Sequence, residues 1–288
     1  NSDMVENVSP PPDPTMFPEG LATPWVRPGR ALWSFWSDFD SGYFFDIQKQ
    51  FVDYAVQLGV EFVVVDAWWE LGFPVDGLDQ FDRLAELVNY AHTGGRNVDI
   101  WVWKSWWEIL GPDERIPFFD AVKNAGAVGV KVDNNAAAEN ESQVSVVVYE
   151  NILRDAADRE LMINFHGCNK PTGRSRTYPN EITRESFAGL ELNGIAWEFD
   201  QFLPTQHNAI LPFTRFVAAP GDYTPVTFDE RKLGDSTFTH QLATAGIFTS
   251  PLMHWAEDPA VLLAQTDVLD VLQAMPLTWD ETVVLDVS

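Results

Sequence analysis

The side chains able to do acid–base or ligating chemistry fall where short apolar runs of this sequence stop. EFVVVDAWWE leads to Asp66 with Trp68 and Trp69, and DIWVWKSWW to Lys104 with Trp106 and Trp107. VGVKVDNN carries Lys131 and ends on Asp133, and LMINFHG ends on His166. ALWSFWSD ends in Trp36-Ser37-Asp38, and TRESFAGLELNG supplies Glu185 and Glu191. Carboxylates among tryptophans suit cleavage of a glycosidic bond. One carboxyl protonates the leaving oxygen, and a second attacks the anomeric carbon or activates water. Indole rings stack on the apolar face of a sugar, and twelve tryptophans in 288 residues is a rich supply.

Each of these residues also has a plainer reading. An aspartate closing a strand, such as Asp38 or Asp66, can be a helix N-cap. Tryptophans in strands can be core, and His166 can be a hydrogen-bonded core residue. Lys131 is harder to set aside, because an ammonium inside an apolar strand must find a partner. Asp133, two positions on and on the same strand face, is the expected one. No phosphate-binding loop, dinucleotide fingerprint, HExxH or nucleophile elbow stands where it should, which argues against kinase, dehydrogenase and serine-hydrolase chemistry. The single cysteine, Cys168, rules out an internal disulfide and a multi-cysteine metal site.

Positioning such groups on one rim requires strands that end together. The near-continuous apolar runs 31–36, 61–68, 99–103, 129–132 and 161–165 read as parallel strands covered on both faces. They alternate with helix-period segments at 44–58, 78–92, 114–124, 143–158, 236–245 and 259–274. Repeated strand–helix units over a chain of this length predict an α/β fold of the (β/α)8 TIM-barrel type across residues 31–276, with functional groups at the C-terminal ends of the strands. Residues 1–30, rich in proline, read as an extended lead-in. The segment 277–288, TWDETVVLDVS after the first residue, reads as the start of another β unit.

Composition excludes other classes. The 13% aromatic content is incompatible with disorder. No run approaches the roughly 18 apolar residues of a membrane span, and the opening NSDMVENVSPPPDP shows no signal-peptide pattern. A net charge of −25 argues against nucleic acid or an anionic membrane as partner.

Longer strings carry a family resemblance. WVRPGRALWSFWSD, GVKVDNN, LMINFHGCNKPTGRSRTYPNEITRESFAGLE and SPLMHWAEDP resemble the catalytic barrel of glycoside hydrolase family 97 over residues 20–276. The resemblance implies a calcium-dependent α-glycosidase, periplasmic or secreted, acting on an oligosaccharide or glycoside. It also implies flanking β domains, with residues 1–30 leading from an N-terminal β-sandwich and 277–288 opening a C-terminal β domain. Inverting members carry a glutamate directly after the histidine, as general base; here that position is Gly167. Retaining members carry glycine there and a nucleophilic aspartate that matches Asp133. The resemblance further implies Glu191 as general acid/base, Glu185 and Glu191 as calcium ligands, and Asp66, Lys104, Lys131 and His166 as sugar contacts. The expected activity is that of a retaining α-galactosidase. The alternatives are α-glucoside or β-L-arabinopyranoside specificity, or a carbohydrate-binding barrel without turnover, against which the intact Asp133/Glu191 pair speaks. Asn134–Ala138 departs from the bulkier or acidic residues of other members.

The charge balance generates its own test. Only six of the eighteen basic residues are lysine, as on proteins of high-salt environments, although an acidic mesophilic surface has the same signature. If the protein is halophilic, its Tm rises between dilute buffer and molar KCl, because screening relieves self-repulsion. A flat or falling Tm removes the halophilic reading.

Overall fold

The computed structural model describes residues 9–133, 141–194 and 202–279. Seven strands run β1 Gly29–Trp33, β2 Phe62–Val65, β3 Asp99–Ser105, β4 Gly129–Asp133, β5 Met162–Phe165, β6 Glu181–Arg184 and β7 Leu252–Trp255. They form one sheet in the order β6-β5-β4-β3-β2-β1-β7, and every pairing is parallel. The helices around it are α1 Phe45–Leu58, α2 Gln80–Ala91, α3 Pro112–Asn124, α4 Gln143–Ala157, α5 Phe238–Ile247, α6 Pro259–Ala264 and α7 Thr266–Ala274. Local chemistry fixes their ends. Asp79 and Asp82 form a capping box at the start of α2, and Gly59, at φ 64°, terminates α1 in the left-handed conformation.

Between β6 and β7 the ring is bridged by an irregular segment rather than a strand. Asp222 N–H donates to the Arg184 carbonyl at 3.2 Å, and Gly221 N–H to the Thr249 carbonyl at 3.0 Å. The Pro225 carbonyl accepts from Ala256 N–H at 2.9 Å. Thr224 and Val226 have positive φ, 57° and 77°, which a regular strand cannot contain. The expected (β/α)8 barrel is therefore present, with this seam in place of one regular strand.

Side chains alternate between the two faces of each strand. Leu32, Val63, Val65, Ile100, Val102, Val130, Val132, Ile163 and Phe165 point outward into the layer packed by the helices. Ala31, Trp33, Phe62, Val64, Trp101 and Met162 fill the barrel. The Trp101 ring crosses Gly129 so closely that a Cβ there would come within 2.5 Å of it, and Phe62 likewise covers Gly29. Those two glycines make room for the aromatic floor.

Several expected boundaries move. The first strand ends at Trp33, because Ser34–Ser37 turns into helix, so Trp36 and Asp38 lie beyond it. The helix expected over 259–274 divides at Gln265, whose ψ of 61° is not helical. Strands β6 (EITR) and β7 (LMHW) carry too much polarity to read as buried strands. Among its described residues the lead-in has no long element, but Phe17 is buried in the outer layer and stacks on Trp25 at 5.9 Å. Thr177 donates to the Pro10 carbonyl at 2.6 Å, so this stretch is packed on the barrel. Positions 134–138 and most of 277–288 lie outside the described residues.

Candidate active site

Strand parity decides which candidates meet. Positions 62, 64 and 66, 129, 131 and 133, and 162, 164 and 166 share the inward face, so Asp66, Lys131, Asp133 and His166 enter the mouth of the barrel. Lys104 follows the outward-facing Val102 and leaves it. Its ammonium bonds Glu70 at 2.8 Å and also Glu108, 4.9 Å from the Phe118 ring centroid. The expected sugar contact at Lys104 is thus corrected: its side chain braces the helix layer, on the far side of β3 from the site.

Lys131 is 1% exposed, and its Nζ lies 4.1 Å above the Trp33 ring. Its hydrogen bond goes to Asp66 at 2.8 Å, while Asp133 stands at 3.7 Å. The partner expected from the sequence is therefore the second one; β2 supplies the first. Asp66 is no helix cap, since the next helical turn, Trp69–Gly72, has Trp68 at its N-cap; Asp66 accepts instead from Trp33 Nε1 at 2.6 Å. Burial pulls Lys131 down, but Asp66, Asp133 and Glu191 outweigh it and hold the ammonium above its ordinary range. Asp133 accepts from Trp103 Nε1 at 3.3 Å. One cation and one indole N–H thus face its carboxyl.

Glu185 and Glu191 converge on His166, whose Nδ1 is 3.8 Å from an oxygen of each. Glu185 accepts from Gly167 N–H at 2.8 Å. Burial raises both glutamates, Asp133 adds to the rise of each and Glu185 to that of Glu191; Glu191 is pushed up to about 7 against the opposing charges of Lys131 and His166. For His166, burial and Lys131 lower the pKa, but Glu185 and Asp222 prevail and raise it to about 9. Ligand atoms of His166, Glu185 and Glu191 lie within 4.8 Å of one another. Two carboxylates give a hard cation oxygen donors, whereas an imidazole nitrogen is foreign to such a shell.

Reasoning from the sequence missed the residue behind His166. Asp222, 1% exposed on the seam, accepts from His166 Nε2 at 2.7 Å, Asn164 Nδ2 at 2.8 Å and His254 Nδ1 at 3.0 Å. Burial opposes its charge, yet His254 and His166 hold its carboxyl well below the usual range. Only the inward parity of His254 in LMHW could have signalled this cluster; Asp222 itself follows no periodic pattern. The tryptophans divide: Trp69 and Trp106 are core, while Trp68 and Trp107 are exposed, Trp68 stacked on Tyr43 at 5.7 Å.

A family model, Glycoside hydrolase 97, matches residues 25–187. The chain is 31% identical over 269 residues to a "Probable retaining alpha-galactosidase" of Streptomyces bingchenggensis, covering 90% of this chain and 40% of that protein. It is 27% identical over 282 residues to the retaining alpha-galactosidase of Bacteroides thetaiotaomicron, covering 91% and 41%. The chain thus spans about two fifths of the length of these relatives. A glycoside hydrolase family 97 enzyme of Pseudoalteromonas sp. strain K8, solved with acarbose, shares the fold at a TM-score of 0.82 and 24% identity, over 100% of this chain and 49% of that one.

The inward and outward charges should differ in what they hold. Asp222→Asn removes a buried carboxylate shared by three side chains and should cost about 2–3 kcal/mol of stability. Lys104→Met, which releases partly exposed glutamates, should cost about 1 kcal/mol or less. Denaturant unfolding of both variants measures the order, and its reversal would contradict this division.

Proposed function

The chain belongs to glycoside hydrolase family 97, and from that premise we propose that it forms the catalytic barrel of a retaining α-galactosidase. The observation that carries this reading is the pairing of Asp133 with Gly167. Asp133 ends β4 at the mouth of the barrel, between the Trp103 indole N–H and the Lys131 ammonium. Gly167, at φ 51°, offers only its backbone N–H, spent on Glu185. Without a side chain at 167 there is no carboxylate after His166 to activate water, so inversion lacks its base. The names of the two curated relatives agree with retention and with α-galactoside as substrate.

In this mechanism ionised Asp133 attacks the anomeric carbon as Glu191 protonates the departing oxygen, leaving a covalent glycosyl-enzyme. Glu191, now a carboxylate, takes a proton from the incoming water, which displaces Asp133 and restores the starting anomeric configuration. Burial gives Glu191 its first role, since a carboxyl at about 7 still holds a proton near neutrality. Lys131 and Trp103 orient the Asp133 carboxyl at the mouth. Asp66 and His166, buried at the same mouth, would contact sugar hydroxyls.

Glu185 and Glu191 would hold the calcium ion that the family implies. Two part-buried carboxylates, both raised in pKa by burial and with oxygens within 4.8 Å of each other, fit a cation there. Bound, calcium would supply positive charge against the negative charge developing on the leaving oxygen.

Asp133→Gly should lose orders of magnitude in rate on an activated aryl α-galactoside and be partly rescued by azide, yielding the β-galactosyl azide. Proton NMR of the unmutated enzyme should show the α-anomer of galactose first; a β-anomer would overturn the assignment of Asp133. Aryl α-glucosides and β-L-arabinopyranosides in the same assay should be turned over more slowly.

Exhaustive chelation should abolish activity of the full-length protein, and added calcium should restore it. Undiminished activity would count against the cation site.

A further inference from the structure

Glu191 opens the helical stretch Glu191–Gly194. Its place is set by what touches it. On the entry side, Leu190 N–H donates to the Tyr223 carbonyl at 2.9 Å. Gly189 lies so near that carbonyl that a Cβ there would come to 3.0 Å. On the exit side stands Asn193, 3% exposed. Its Nδ2 donates to the Lys232 carbonyl at 2.8 Å, and its Oδ1 accepts from Leu203 N–H at 2.8 Å. Both ends of the amide are thus spent on backbone groups from two separate loops. Gly194 closes against the Trp36 indole, which a Cβ would meet at 2.8 Å. Lys232 holds that same residue, its Nζ 4.4 Å from the ring centroid and 3.1 Å from the Trp36 carbonyl.

We propose that Asn193 is a positioning residue for the acid/base: it braces the stretch Glu191–Gly194 so that the Glu191 carboxyl meets the leaving-group oxygen. The inference rests on the reading of Glu191 as acid/base, and it adds a residue that touches neither the reacting atoms nor Glu191's carboxyl. Proton transfer depends steeply on placement, and a displacement of about 1 Å can cost on the order of a hundredfold. A displaced acid is felt only when the leaving group needs a proton. A dinitrophenolate leaves without help, whereas a phenolate does not.

The test is leaving-group dependence in the full-length protein. The kcat/KM of Asn193→Ala should stay within about threefold on dinitrophenyl α-galactoside and fall at least about tenfold further on phenyl α-galactoside. Gly194→Ala, which pushes the same turn from the Trp36 side, should give the same pattern and covers the case in which Asn193→Ala does not fold. Asn193→Asp, which keeps the acceptor for Leu203 and loses the donor to Lys232, should fall between. Equal losses on both substrates in the folded variants would mean a merely structural or binding role and would overturn the proposal. Glu191→Ala separates the two claims. If it shows no leaving-group dependence, the acid/base reading fails; if it does while both clamp variants stay flat, only the Asn193 inference fails.

Discussion

In a closed parallel barrel every second side chain must face a lumen with little access to water, and the charges at its mouth are bound by that constraint. Among the described residues five carboxylates meet there, Asp66, Asp133, Glu185, Glu191 and Asp222, against the ammonium of Lys131 and the imidazolium of His166. Burying a charge is costly unless it is paired and hydrogen-bonded. The pairing accordingly runs in chains: Trp33 and Lys131 to Asp66, Lys131 and Trp103 to Asp133, His166 and His254 to Asp222. At Glu185 and Glu191 burial first, and neighbouring carboxylates second, raise the pKa values. Acid–base capacity therefore arises at the point where compensation runs short. The same shortage is the electrostatic ground for the proposed calcium ion.

The seam between β6 and β7 matters for a related reason. A regular strand there would alternate its side chains and offer backbone hydrogen bonds only in ladder order. The irregular segment instead turns Asp222 onto Asn164, His166 and His254 together, while its carbonyls at Tyr223 and Pro225 bind Leu190 and Ala256. One stretch of strained backbone thus orients the histidine beneath the glutamates and anchors the entry to the turn bearing Glu191. Asp222 saturates Nε2 of His166 and so turns Nδ1 toward Glu185 and Glu191.

The sequence by itself determined the alternation of apolar runs and helical segments, hence the barrel, and it delivered Asp66, Lys131, Asp133 and His166 to strand ends. These are local properties: a run of valines is a buried strand in almost any context, and residues two apart share a face. Parity also holds the reason that Lys104 faces away, since it is one position out of phase with Trp103, whose indole reaches Asp133. What only the tertiary structure decided are pairings between distant segments. Lys131 bonds Asp66, 65 residues away, in preference to the nearer Asp133. Asp222 finds its histidines from a stretch with no periodicity, and Asn193 ties together loops that no local pattern links. Such contacts follow from the closure and register of the whole ring, which bring one strand's end beside another's, and no short window of residues encodes that neighbourhood.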